Sequence, residues 1–107
     1  MEKRIYYKLI FVGGQFTDLG ASSTSVVDLD ELITPGAYIT NNTGATYVNN
    51  KPSGVSRGFR VDVIPSMTGG SYVRQRLQEY NSLTMYERVT VNGGTSWSPN
   101  WTIVQGS

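Results

Sequence analysis

The sequence predicts an all-β domain, or a β-rich one with one short helical turn, arranged as a small antiparallel β-meander or sandwich module. Three observations predict it. Twelve Gly and four Pro cut the chain into short runs, the punctuation of brief strands and turns rather than of long helices. No window sustains apolar residues at i, i+3, i+4 and i+7 over several turns. Phe59-Arg60-Val61-Asp62-Val63 instead alternates at period two. That places Phe59, Val61 and Val63 on one face and Arg60 and Asp62 on the other, as in a half-buried antiparallel strand.

The elements follow in order. Arg4 to Val12 sets Ile5, Tyr7, Leu9 and Phe11 against Tyr6, Lys8, Ile10 and Val12 before Gly13-Gly14, a strand apolar on both faces that calls for cover on both sides. The polar stretch Asp18 to Ser25 reads as a loop or linker. It divides the chain into an N-terminal strand and linker, residues 1–24, and a β domain, residues 25–107. Between Asp28 and Gly36 an Asx residue caps one helical turn, acidic residues sit at its positive end, and Pro35-Gly36 stops it. Ala37 to Thr40 is a short strand, and Asn41-Asn42-Thr43-Gly44 and Asn49 to Gly54 have turn and loop compositions.

Pro65 to Gly70 turns the chain into a strand from Tyr72 to Tyr80, in which Val73, Gln75 and Leu77 oppose Arg74, Arg76 and Gln78. Asn81-Ser82 leads into a strand from Thr84 to Val91. A two-residue loop there sets Arg76 opposite Glu87 and Gln75 opposite Arg88, whereas a three-residue loop shifts every pair by one. Asn92-Gly93-Gly94 carries the strongest hairpin signal, because Asn-Gly tolerates the positive φ of a type I′ turn. The last strand is then expected from about Thr95 to Val104.

Composition narrows function. The chain has no Cys and no His, which removes thiolate or imidazole zinc sites, disulfides, and Ser-His-Asp or Cys-His nucleophiles. Nine Lys plus Arg against eight Asp plus Glu leave a net charge of +1, too little to steer the chain to nucleic acid or anionic lipid. Ile5 to Val12 is too short and too interrupted for a signal-peptide core or membrane span. No catalytic, cofactor-binding or metal-binding residue is expected, and no membrane insertion. Asp28, Asp30 and Glu31 lack the spacing of a calcium loop and are better explained by capping.

Asp28-Leu29 through Thr34-Pro35-Gly36-Ala37-Tyr38, a Gly-containing hydrophobic strand, Val73-Arg74-Gln75, and Met85-Tyr86-Glu87-Arg88 with Gly93-Gly94-Thr95-Ser96-Trp97-Ser98 follow one another in that order. In order and spacing this resembles the pyocin-knob pattern. That pattern runs from an opening Leu-x-x-Ile-x-x-Pro-Gly-x-Tyr through a Gln-bearing strand to a closing Tyr-x-Arg, Gly-Gly-x-x-Trp-Ser and a second Trp. The resemblance covers Val26 to Val104 and leaves residues 1–15 outside it. Trp97-Ser98-Pro99-Asn100-Trp101 is one residue longer than the more usual Trp-Ser-x-Trp spacing. The resemblance implies a non-enzymatic module of a bacteriophage or tailocin tail fibre, homotrimeric, at or near the host-contacting tip, with no cofactor. Its partner would be a bacterial cell-surface glycan, and its place a virion tail fibre made in the bacterial cytoplasm and acting outside the cell.

The candidate glycan contacts are Tyr47, Asn49, Asn50, Arg74, Arg76, Tyr86, Arg88 and Trp101. Trp97 and Trp101 have two readings, indole platforms for a pyranose or fillers of a small core, and core is preferred for Trp97. Tyr86 and Arg88 fall two apart on one strand face, where the guanidinium stacks on a ring or pins a carboxylate. Arg74, Arg76 and Arg88 would hold an anionic sugar or a teichoic-acid phosphate if they shared a face; the other reading is a solvated face balanced by Glu79 and Glu87. The polar loops from Asn41 to Ser56 are where recognition on a β scaffold commonly sits. Attachment to surface polysaccharide is the leading reading. The alternatives are a purely structural knob or trimerisation spacer, and an accessory domain of a carbohydrate-degrading depolymerase with Glu79 and Glu87 as its carboxylate pair.

Overall fold

The computed structural model describes residues 16–98 and 100–105; the strand expected over Arg4 to Val12 lies outside them. Along the chain come β1 (Thr17–Asp18), β2 (Val27–Asp28), a 3-10 turn (Leu29–Glu31), β3 (Gly36–Thr40), α1 (Asn42–Ala45) and β4 (Val48–Asn49). β5 (Phe59–Pro65), β6 (Val73–Glu79), β7 (Met85–Thr90) and β8 (Thr102–Gln105) follow. A six-stranded sheet runs in the order β1-β3-β5-β6-β7-β8, and β2 pairs with β4 in a second sheet of two strands. All pairings in the large sheet are antiparallel except β1 with β3. Among the described residues the fold is therefore mostly β, with one 3-10 turn and one short helix.

Alternation along β5 and β6 decides which face is buried. Phe59, Val61 and Val63 on β5 and Val73, Gln75 and Leu77 on β6 are buried, while Arg60, Asp62, Arg74, Arg76 and Gln78 turn outward. The inner face meets Leu29 of the 3-10 turn, Ala45 of α1, Val48 of β4 and Val55, which join Phe59, Val61 and Leu77 in one core. Fully burying an aliphatic side chain of this size stabilises by about 1.5–3 kcal/mol. Leu19 and Ala21, within the stretch read as loop or linker, pack against the same core.

The β6–β7 register sets Gln75 opposite Arg88 and Arg76 opposite Glu87. This is the pairing that a two-residue loop at Asn81-Ser82 demands. Asp28 stands in extended backbone and its Oδ1 accepts from Asp30 N at 2.9 Å, capping the 3-10 turn. Asn41-Asn42-Thr43-Gly44, read as a turn, is instead the start of one turn of α-helix. Asn41 Oδ1 accepts from Gly44 N at 2.7 Å and supplies an N-cap within a composition that otherwise reads as loop.

The C-terminal hairpin differs from its expected form. Gly93 and Gly94 adopt the expected positive φ, 71° and 90°, and Thr95 N donates to Asn92 O at 3.5 Å across them, but no strand ladder grows from this turn and the final strand shortens to Thr102–Gln105. Side chains replace the ladder. The Thr90 hydroxyl donates to Ser96 O at 2.7 Å and accepts from Gly94 N at 3.0 Å, and Asn92 Oδ1 accepts from Ser96 N at 3.0 Å. Such local bonds compete with strand pairing and hold the segment as a compact loop. Among the described residues, no helix is long and apolar enough to cross a membrane.

Candidate functional site

Two surfaces of the sheet carry the chemistry, one buried and one open. On the inner face, Arg88 of β7 is only 1 % exposed although it carries a full charge. Its Nε donates to Gln75 Oε1 at 2.8 Å, and its Nη1 lies 2.8 Å from Asn100 Oδ1 and 2.9 Å from Asp30 Oδ1. Gln75 in turn donates from Nε2 to Leu29 O at 2.7 Å and Leu32 O at 2.8 Å. The guanidinium plane is covered on both sides, with Cζ 4.2 Å from the Trp97 ring centroid and 4.3 Å from that of Trp101. Cation–π attraction in a desolvated site of this kind reaches about 2 kcal/mol per ring. Burial lowers the Arg88 pKa and the negative charge of Asp30 opposes that shift. Arg88 Nη2 and Trp97 Nε1 are buried without a hydrogen-bond partner among the described residues.

Trp101 joins this assembly to the loop of candidate contacts. Its indole Nε1 donates to Asn50 O at 2.8 Å, while Asn50 Nδ2 donates to Asp28 Oδ1 at 2.6 Å. Trp101 and Asn50 both sit at positive φ, 47° and 66°. Such backbone in a residue with a bulky side chain costs of order 1–3 kcal/mol and persists where surrounding contacts over-determine it. Trp97, preferred as a core residue, is half-buried with one ring face against Arg88.

The outer face carries Arg74 and Arg76, and Arg88 is not with them. Successive residues of a strand point to opposite faces, and in this register Glu87, not Arg88, projects beside Arg76. Glu87 takes both cations, from Arg74 Nη1 at 3.1 Å and from Arg76 Nε at 2.8 Å, so the expected trio of cations divides into an engaged pair and a buried single. Glu79 lies on the other face of the alternation and caps a loop, its Oε2 accepting from Ser56 N at 3.1 Å and Arg57 N at 3.0 Å. The two carboxylates therefore do not face each other across a cleft, as a glycosidase pair would. Tyr86 packs against the core, Tyr47 is half-buried, and Asn49 is exposed on β4. Arg74 and Arg76 are partly solvated, so Arg76→Ala is expected to lower unfolding free energy by less than about 1 kcal/mol in a urea titration.

An open groove of about 490 Å³ lies beside this charged ladder, lined by Ile39, Thr40, Phe59, Arg60, Gln78, Glu79, Tyr80 and Ser82. A smaller concavity of about 240 Å³ continues it through Arg60, Asp62, Arg76, Gln78 and Met85. Sequence reasoning did not single out Arg60, Gln78 or Tyr80. Their neighbourhood depends on strand register, and only the polar alternation of β5 and β6 hints at it. The register that sets Gln75 opposite Arg88 brings these two together as one of the two expected pairings, whereas Asp30 and Asn100, which come from separate segments, carry no signal that they meet Arg88.

No family model matches the chain, and a search of curated proteins finds no match. Among solved structures, an N-truncated R2-type pyocin tail fibre superposes on 86% of this chain with a TM-score of 0.63 at 22% sequence identity. The chain shares the fold of that part of the fibre. The match takes in 35% of that N-truncated tail fibre chain, so this chain spans only about a third of the length of the structure it matches. At that identity the likeness to the pyocin tail fibre is one of architecture. The segments that carry the pyocin-knob resemblance, around Asp28, Gln75, Arg88, Gly94 and Trp97, converge around the buried guanidinium.

Proposed function

We propose that this chain is a non-enzymatic module of a bacteriophage or tailocin tail fibre that attaches to bacterial surface polysaccharide. The observation that carries the reading is the likeness to an R2-type pyocin tail fibre over most of the chain. An open, polar sheet face with an adjoining groove supports it, because sugars are held by planar polar groups and exposed aromatic rings on a rigid scaffold. In a homotrimeric fibre, weak contacts at each copy multiply through effective concentration. The module acts outside the cell as part of the released particle.

A second reading, a structural spacer within the fibre, is favoured by β8. β8 is an edge strand among the described residues, with Ile103 and Val104 59% and 50% exposed, and an apolar sheet edge of this kind invites pairing with another chain. Binding of the intact, assembled protein to bacterial envelope fractions and to a glycan array separates the two. Attachment predicts saturable binding to at least one polysaccharide fraction. Uniform absence of signal from the assembled protein, with its fold verified, leaves only the spacer.

A further inference from the structure

We infer that the groove between β3, β5 and β6 is the sugar subsite, and that it takes a neutral pyranose rather than an anionic one; this rests on the attachment reading above. Tyr80 lines the groove and is 67% exposed, and an exposed aromatic ring is the group on which the apolar face of a pyranose stacks. Its position is fixed from below by Tyr80 N donating to Gly58 O at 3.0 Å. Polar groups surround it with part of their capacity engaged in holding them still. Gln78 Nε2 donates to Ser82 O at 2.9 Å, Glu79 accepts two loop amides through Oε2, and Arg60 Nε holds Asp62 Oδ1 at 2.9 Å.

That leaves Gln78 Oε1, Glu79 Oε1 and the terminal nitrogens of Arg60 without hydrogen-bond partners among the described residues. Acceptors and donors on side chains already fixed by other bonds are what vicinal hydroxyls need, since each hydroxyl both gives and receives a hydrogen bond. The volume of about 490 Å³ falls within the usual range for small-ligand clefts. Charge selects the sugar. The groove lining holds one guanidinium, Arg60, and one carboxylate, Glu79, so a carboxylated or phosphorylated sugar finds no net positive field. The neighbouring Arg74 and Arg76 already share Glu87.

The test is a binding titration of the assembled protein with neutral and acidic oligosaccharides cleaved from bacterial envelope polysaccharide. Tyr80→Ala and Arg60→Ala are each expected to weaken binding of a neutral oligosaccharide tenfold or more, with thermal unfolding close to that of the parent. Raising salt from about 0.05 to about 0.5 M should leave the parent affinity unchanged, because screening acts only on charge. Binding that survives both substitutions, and is lost instead in Asn49→Ala, moves the sugar to the 41–56 loops and overturns the groove while leaving attachment intact. Binding confined to the acidic fraction and weakened by salt overturns the neutral-sugar assignment. If both variants change oligomeric mass instead of sugar affinity, the groove is a protein contact and the inference falls. A parent that binds no fraction removes the attachment reading itself, and the subsite with it.

Discussion

Arg88→Ala is expected to lower unfolding free energy by about 3–5 kcal/mol, as measured by urea denaturation followed through indole fluorescence. The substitution removes the ring-to-ring bridge between Trp97 and Trp101 and deprives the Gln75 amide oxygen of its donor. It also leaves Asp30 without its cation, although Asp30 is 38% exposed and recovers part of its hydration. Arg88→Lys should recover only a minor part of the loss. An ammonium lacks the planar face that lies between two indoles and cannot reach Gln75, Asn100 and Asp30 from one fork. Because burial holds the Arg88 pKa below its ordinary value, charging this group disfavours the fold, a cost fully present below the folded pKa and relieved only as pH rises past it. The contribution of Arg88 to stability is accordingly flat between about pH 5 and pH 9, far below the range in which a guanidinium titrates. A steep dependence of the Arg88→Ala effect on pH in that interval would contradict this account.

Gly94→Ala is the second large effect, with an expected loss of roughly 2–4 kcal/mol and a drop in Tm of roughly 8 °C or more. Gly94 has φ of 90°, and a Cβ at this position would run into the backbone carbonyl oxygen of Asp30 with Ile33 close by. Neither neighbour yields easily, since Asp30 belongs to the 3-10 turn whose Leu29 is fully buried. Gly93→Ala provides the internal comparison. Its φ is 71°, but the nearest heavy atom to an added Cβ is Ser71 Oγ at 3.8 Å, so only backbone strain of about 1–2 kcal/mol applies. Equal losses at the two positions would mean that contact with the 3-10 turn is not what fixes Gly94.

The sheet was legible because its signal is local. Phe59 to Val63 and Val73 to Leu77 alternate cleanly, and the inner residues of both strands are buried. The register around Asn81-Ser82 came down to two options, and the observed one pairs Arg76 with Glu87, which is also the pairing that satisfies charge. Capping at Asp28 could be read from residue type. The Asn41 cap could not be told from a turn, because an Asx side chain bonds nearby backbone amides in either conformation. The C-terminal segment misled for a related reason: Thr90 and Asn92 draw the 91–98 backbone onto their side chains, and period-two reasoning has no means to weigh that competition.

The candidate site was harder to read, since its parts are scattered along the chain. Arg88 has several readings, as one of three cations on a face or as a guanidinium stacked on a ring or pinning a carboxylate, and although one register sets Gln75 opposite it, nothing within its own strand announces that Asp30 and Asn100 meet it from elsewhere. A charged residue in a strand suggests solvent by default, and its burial becomes affordable only with two indoles and three polar partners in place. Arg60, Gln78 and Tyr80 escaped notice for the opposite reason. Each looks like an ordinary exposed residue, and the groove exists only once β3, β5 and β6 are in register.

The most direct test of the division between a buried Arg88 assembly that makes the fold and an open groove that meets sugar is one NMR titration of the isotopically labelled protein with envelope oligosaccharide. The account predicts that backbone signals of Arg60, Gln78 and Tyr80 move with the oligosaccharide while the indole N–H signals of Trp97 and Trp101 and the Nε–H of Arg88 stay in place. Movement of the indole and Arg88 signals with a silent groove, or no movement at any residue, would contradict it.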